Sequence, residues 1–195
     1  MYAKWMTFVV TIVLIGTGSL FAQQKQSTMA GQKVDKSADR SFIASAAEAN
    51  LGEIDMAKMV GQKSTDPAVK DFANRMVTDH TQASQKLASV AEMNGVKLPT
   101  EVSANERNQK SELEKLSGAQ LNDAYLRDEL KGHKETISAF ESEIEHGQNQ
   151  EVINYAQQTL PTLQDHIRIA EDVAGKLGTS GKAGLSDEAK AITAK

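Results

Sequence analysis

The chain has 195 residues, of which 39% are hydrophobic and 25% are charged, a balance typical of a folded soluble domain. Its formal net charge is -4, and with no basic run it gives no electrostatic reason to expect nucleic acid as a partner. There is no cysteine, which excludes disulfides, thiolate metal ligands, a cysteine nucleophile and a lipidated cysteine. The low aromatic content of 5% and the three prolines favour helices over sheets.

The N-terminus has the layout of a secretory signal peptide over residues 1–22. A short start that ends at Lys4 is followed by an apolar run (WMTFVVTIVLI), and Ala22 precedes a polar stretch at the expected cleavage site. The sequence therefore predicts a periplasmic or secreted protein that is not stably inserted in a membrane once this segment is removed. An uncleaved anchor is the alternative, because residues 5–22 reach the lower limit of a bilayer span.

The remainder of the chain divides into three parts. Residues 23–39 are polar and lack an apolar period, which predicts a flexible linker. Residues 40–177 form the predicted domain, and residues 178–195 are predicted to be a flexible C-terminal tail.

Four long helices are predicted within this domain. The first runs from about Arg40 to Gln62, and Asp39 or Ser37 is its expected N-cap. Asp66 and Pro67 are a strong start signal for the second helix, because aspartate caps a helix and proline suits its first position. The second helix is expected to end at about Asn94, before Gly95.

A long connection over residues 96–118 follows, with a charged helix predicted over 105–116. The third long helix is expected over 119–146, and the fourth begins after its N-cap Asn149 and contains Pro161, which should kink it. Short turns join helix one to two and helix three to four. The sequence thus predicts an all-α protein, a four-helix bundle made of two hairpins with a long, partly helical connection.

Each long helix interrupts its apolar stripe with one residue that can bind a metal. Steps of three and four place the stripe on one helix face, and a bundle buries that face. A buried charge or imidazole without a partner is costly, whereas bundles build metal sites from such residues on facing helices. The four residues are Glu53, His80, His133 and His166.

Three further carboxylates are candidates for the same site. Asp79 directly precedes His80, Glu129 lies four residues before His133, and Asp123 continues the stripe of the third long helix. Imidazole with carboxylate suits zinc, iron, copper or nickel, and the sequence does not choose among these divalent ions.

Two other interpretations of the cluster stand beside metal binding. The polar core can be purely structural, fixing the register of a non-catalytic envelope protein whose partners are unknown. Alternatively, the protein can be an enzyme in which His80 acts as a general base beside Asp79, although a non-enzymatic role is favoured because no phosphate loop or nucleophile elbow is present.

Several segments resemble the family called domain of unknown function 4142. They are SFIASAAEANLGEIDMAKMV, DPAVKDFANRMVTDHTQA, LNDAYLRDELKGHKETISAFE and LPTLQDHIRIAEDV, which together cover roughly residues 41–173. The resemblance implies an exported bacterial protein, of a family often labelled outer membrane proteins, with a ferritin-like four-helix bundle. It also implies that six of the candidates match recurring family positions, namely Glu53, Asp79, His80, Asp123, His133 and His166.

The chain departs from related patterns at two points. Gly132 stands before His133, where members of the family often carry an acid. Val77 and Leu163 lie three residues before His80 and His166, so the Glu-x-x-His pairs of di-iron ferritin-like proteins are absent from this sequence. The resemblance therefore does not imply a ferroxidase centre.

Overall fold

A computed structural model describes residues 37–178, which form five α-helices and no strand. The predicted signal peptide, most of the predicted linker and nearly all of the predicted tail lie outside these residues. The helices are α1 (Ser37–Lys63), α2 (Pro67–Met93), α3 (Ala104–Glu114), α4 (Gly118–His146) and α5 (Gln150–Lys176). Within the described part of the chain, no helix is long and apolar enough to cross a membrane.

The helix starts follow local capping chemistry. Oδ1 of Asp66 accepts hydrogen bonds from the backbone N–H groups of Ala68 at 2.9 Å and Val69 at 3.1 Å, and Pro67 is the first helical residue, as predicted. Asn149 caps α5 in the same way through the N–H of Glu151. Such caps satisfy backbone donors that a helix end would otherwise leave unpaired.

One expected N-cap is not observed. α1 extends from Ser37, the first residue that the structure describes, so Asp39 lies within its first turn and does not cap it. The Asp39 side chain is buried, and its Oδ1 accepts a hydrogen bond of 2.9 Å from the backbone N–H of Gln148 beyond α4. α5 contains Pro161, as predicted, and remains helical on both sides of it.

The four long helices enclose one core in the cyclic order α1, α2, α5, α4. α1 packs most extensively on α2 and α4 on α5, and the hairpins meet where α2 packs on α5 and α1 on α4. Ser64 bonds to Asn122 at one end of the bundle, and Arg40 bonds to the Asn94 carbonyl at the other. α4 therefore starts at the end opposite to where α2 finishes.

The connection between the hairpins thus crosses the length of the bundle, and α3 lies along it against α1 and α4. Every pair of neighbouring long helices is antiparallel, and one long crossover joins the two hairpins, as in ferritin-like folds. The predicted fold class, an all-α bundle of two hairpins with a partly helical connection, is confirmed.

Candidate metal centre

Three histidines from three helices meet in the middle of the bundle. His80, His133 and His166 lie near the midpoints of α2, α4 and α5, and only 4%, 2% and 1% of their respective surfaces are exposed. Their ring centroids are separated by 5.1 to 5.6 Å, so each ring contacts the other two. One potential ligand atom from each ring lies within 4.8 Å of the others, which is close enough for one ion to reach all three.

On each ring, one nitrogen points away from the cluster and has an acceptor beside it. His80 Nδ1 lies 2.8 Å from Asn50 Oδ1, and His133 Nδ1 lies 3.0 Å from the backbone carbonyl oxygen of Glu129. His166 Nε2 lies 3.0 Å from Oδ2 of Asp79. An amide oxygen, a carbonyl and a carboxylate only accept, so each of these ring nitrogens carries the proton and donates it.

These acceptors fix the tautomer of each ring. If His80 Nδ1, His133 Nδ1 and His166 Nε2 hold the protons, then the second nitrogen of each neutral ring presents a lone pair toward the other rings. Nε2 of His133 lies 3.1 Å from Nδ1 of His166, and Nε2 of His80 is buried with no hydrogen-bond partner among the described residues. The cluster therefore brings together three rings that each keep one nitrogen with a lone pair, with one ligand atom of each ring within 4.8 Å of the others.

Burial favours the neutral form of all three rings. It lowers the pKa of His80 well below the ordinary value, with the positive charges of His133 and His166 adding to the effect. Burial also lowers the pKa of His133 and of His166, in the latter against the opposing influence of Asp79. Neutral imidazole is the form that binds a metal, so no proton has to be removed first.

Asp79 holds His166 in place from the surface side. Its carboxylate accepts from His166 and from Nε of Arg75, which lies 2.7 Å from Oδ2. Burial raises the pKa of Asp79, but the hydrogen bonds from Arg75 and His166 outweigh burial and keep the pKa below its ordinary value. Asp79 is thus a charged acceptor for His166, in the arrangement of carboxylate and histidine that orients metal ligands.

A second group of potential ligands adjoins the first. Glu53, Glu129 and His133 place one ligand atom each within 4.8 Å of one another. Oε2 of Glu53 and both carboxylate oxygens of Glu129 are buried, and the Glu129 carboxyl group interacts with the carboxyl group of Glu53 and with the hydroxyl of Tyr125. Burial, followed by the charge of Glu53, raises the pKa of Glu129 well above its ordinary value.

The seven predicted ligands fall into three sets. His80, His133 and His166 form the first group, and Glu53 and Glu129 join His133 in the second. Asp79 contacts His166 rather than His80. This geometry does not support the enzyme hypothesis in which His80 acts as a general base beside Asp79. Asp123 lies outside both groups and pairs with Arg127 at 2.6 Å, with 28% of its side chain exposed.

Sequence reasoning missed Asn50, which orients His80 from α1. α1 buries Ala46, Met56 and Val60, and next to them it also buries Ile43, Ala47 and Asn50. The same steps of four and three connect these positions, so the periodicity itself could have identified Asn50. An amide three residues from Glu53 was the available signal.

Comparison with solved structures supports the fold. A DUF305 protein from Streptomyces coelicolor, named as a "putative secreted protein", is 14% identical with a TM-score of 0.63, and covers 73% of this chain and 95% of its own. A DUF305 fragment from Deinococcus radiodurans is 16% identical with a TM-score of 0.64, over 72% and 97% of the two chains. A conserved hypothetical protein from Mycobacterium tuberculosis is also 16% identical, with a TM-score of 0.54, over 71% and 92%.

These identities are too low to carry more than the fold, and no curated protein matches the chain. The sequence pattern of one family, described as Domain of unknown function (DUF4142), matches residues 23–173. That match covers the predicted linker and the four long helices almost to the end of α5, including every residue of the two ligand groups. The chain belongs to the DUF4142 family.

Proposed function

We propose that this protein is an exported helical bundle that binds one divalent transition-metal ion through His80, His133 and His166, and that it serves metal handling in the cell envelope. The observation that carries the proposal is the orientation of the three rings. Each outward N–H has its own acceptor, which leaves the second nitrogen of each ring free to bind an ion, and one ligand atom of each ring lies within 4.8 Å of the others. Metal-binding histidines in proteins have this arrangement, with the non-ligating N–H held by a carboxylate or carbonyl.

A purely structural role explains the same geometry less well. Nε2 of His133 and Nδ1 of His166 are both acceptors in these tautomers, yet they lie only 3.1 Å apart. Two lone pairs at that distance repel each other unless a proton or a cation lies between them. Burial opposes the extra proton, as the lowered pKa values of both rings indicate, whereas a bound cation would satisfy all three nitrogens.

The donor set restricts the class of ion. Three neutral imidazoles suit zinc, copper, iron or nickel, whereas magnesium and calcium prefer oxygen ligands. Three protein ligands also leave a coordination position open for water or a further group. The proposed site is therefore a three-histidine centre for a borderline transition metal.

Export rests on the N-terminal segment. Residues 1–22 have the layout of a signal peptide. One structural neighbour, the DUF305 protein from Streptomyces coelicolor, is named as a "putative secreted protein". The lack of cysteine also suits an envelope protein, since a three-helix or four-helix core of this size can fold without disulfides.

The test measures metal per chain in the purified protein after exposure to Zn²⁺ and removal of excess ion. The wild type is expected to retain Zn²⁺, and His80→Ala and His166→Ala are expected to lose it, because each removes one of three ligands. His146→Ala is the matched control, since His146 is exposed at the end of α4. Failure of the wild type to retain Zn²⁺, Cu²⁺, Fe²⁺ or Ni²⁺, or equal retention by all variants, overturns the proposal.

Thermal unfolding separates the metal-binding role from the structural one. An ion that binds only the folded state stabilises it by about 2.7 kcal/mol when present at 100 times its Kd. The melting temperature is therefore expected to rise with Zn²⁺ and to fall again with a chelator. A purely structural cluster predicts a melting temperature that neither treatment changes.

A further inference from the structure

A cavity of about 310 Å³ lies between α1, α3 and α4, beside the three-histidine centre. Five carboxylates line it, and none of the described residues around it is basic. These are Glu53, Glu106, Asp128, Glu129 and Glu135. A concave surface lined by charges of one sign concentrates ions of the opposite sign, so this cavity attracts cations.

The floor of the cavity contains two adjacent carboxyl groups. Glu129 is 2% exposed, and its carboxyl group interacts with the carboxyl group of Glu53 and with the hydroxyl of Tyr125. Oε2 of Glu53 is buried beside Glu129. Two carboxyl groups this close repel each other when both are ionised, and a cation bound between them would offset that repulsion.

We propose that Glu53 and Glu129 form a second divalent-cation site, separate from the three-histidine centre, in which water from the cavity completes the coordination. The ligand atoms of the two glutamates lie within 4.8 Å of each other, so one ion can bind both. Carboxylate and water ligands select a harder ion than imidazole does, with manganese as the representative. The two sites therefore differ in the class of ion that they hold.

His133 forms the wall between the two sites. Its Nε2 faces His166, and its Nδ1 donates to the carbonyl oxygen of Glu129 while lying 3.4 Å from the carboxylate oxygen Oε2 of the same residue. Because the Nδ1 proton occupies that nitrogen, the second site does not require His133 as a ligand. Both ions can then bind at once, and neither site depends on the other being filled.

The test uses Mn²⁺ alone, titrated into the purified protein and followed by electron paramagnetic resonance. The wild type is expected to bind one Mn²⁺ per chain, and Glu129→Gln and Glu53→Gln are expected to weaken that binding at least tenfold. Loss of an outer-shell partner already weakens metal binding by about 10- to 100-fold, and a direct ligand contributes more. Both substitutions keep the side-chain shape and remove a buried charge, and circular dichroism checks that the helices are retained.

Glu135→Gln is the matched control, because Glu135 is an exposed carboxylate of the same cavity and should leave binding unchanged. His80→Ala should also leave it unchanged. Absence of Mn²⁺ binding by the wild type, or equal binding by Glu129→Gln, overturns the second site. If His80→Ala loses Mn²⁺ while Glu129→Gln keeps it, the ion belongs to the three-histidine centre; this result overturns the second site and leaves the proposed function intact. If Mn²⁺ binding depends on Glu129 and the protein retains no Zn²⁺, the second site stands and the proposed function is overturned.

Discussion

Asn50 shows how a single uncharged residue determines the chemistry of the centre. Its Oδ1 accepts the Nδ1 proton of His80, and its Nδ2 donates to the hydroxyl of Tyr155 at 3.5 Å. The two ends of the Asn50 amide thus contact His80 and Tyr155. Nε2 of His80 is left with its lone pair directed at the other two rings, in the orientation that a metal requires.

Asn50→Leu is expected to weaken Zn²⁺ binding by about 10- to 100-fold without removing a ligand. Leucine has a similar size but cannot hold the Nδ1 proton, so His80 would be free to rotate or to change tautomer. Competition with a chromophoric chelator measures the change in affinity. Tyr155→Phe is the control that removes only the outer hydrogen bond, and it should have a smaller effect; equal affinities for Asn50→Leu and wild type would contradict the role of Asn50.

The histidines could be predicted from the sequence because each one replaces an apolar residue in a regular stripe. Helix α1 was harder to orient, because its small residues are spread around the helix and Ala46, Ala47 and Ala49 all suit a core. The partners of the rings could not be predicted at all. Whether Asp79 bonds to His80 or to His166 depends on how α2 and α5 pack, and adjacent positions in the sequence carry no information on that packing.

At the scale of the helices, the features that depend on local chemistry were predictable. Asp66, Pro67 and Asn149 act on backbone groups within three residues, so the sequence alone defines those ends. The role of Asp39 depends instead on its bond to Gln148, which lies 109 residues away along the chain. The direction of the crossover likewise follows from contacts between helix ends, such as Ser64 with Asn122.

Helix α3 is held against α1 through Glu106 and Gly52. Glu106 belongs to the capping box of α3, where its Oε2 accepts from the backbone N–H of Ser103 at 3.2 Å and from the Ser103 hydroxyl at 2.9 Å. A Cβ on Gly52 would lie 2.3 Å from Oε1 of Glu106, so an alanine would displace that side chain. Gly52 thus allows α3 to approach α1 and form the roof of the acidic cavity.

Gly52→Ala and Gly61→Ala are expected to differ by about 1 kcal/mol in the free energy of unfolding. Both replace glycine within α1, which by itself stabilises a helix by about 0.5–1 kcal/mol. At Gly61 an added Cβ meets its neighbours at 3.5 Å and 3.6 Å, which is ordinary contact, so the gain should appear. At Gly52 the displaced Glu106 loses its capping contacts, worth about 1 kcal/mol, which cancels the gain.

Urea unfolding of the two variants and the wild type measures this difference. Gly61→Ala is expected to raise the midpoint concentration, whereas Gly52→Ala should leave it unchanged or lower it. An equal increase in both variants would show that Glu106 moves without cost, and would contradict its role in holding α3.

At the scale of the whole molecule, polar contacts join the two hairpins at three levels. Ser64 and Asn122 lie at one end, and the histidine cluster with Asn50 and Asp79 lies in the middle. At the other end, Asp39 contacts Gln148 and the carboxyl group of Glu143. A metal bound by residues of α2, α4 and α5 would therefore reinforce a junction that the fold has already positioned.

The contact between Asp39 and Glu143 makes the stability of the bundle depend on pH. Burial, together with the charge of Asp39, raises the pKa of Glu143 from 4.5 to about 7. The folded state therefore binds the proton of the Glu143 carboxyl group more tightly than the unfolded state does. Its stabilising contribution is complete below about pH 4.5, decreases as the pH rises toward 7, and is absent above that pH.

Glu143→Gln is expected to prevent the loss of stability at high pH, because an amide can donate to Asp39 at every pH without carrying a charge. The variant should exceed the wild type in the free energy of unfolding by on the order of 1–2 kcal/mol at pH 8, and by much less at pH 5. Urea titrations at the two pH values provide the measurement. Glu141→Gln is the control on the same helix, since Glu141 is exposed and should change stability at neither pH. If Glu143→Gln gave the same increment at pH 5 and pH 8, Asp39 and Glu143 would not share a proton, and Asp39 would contribute at this end of the bundle only through its bond to Gln148.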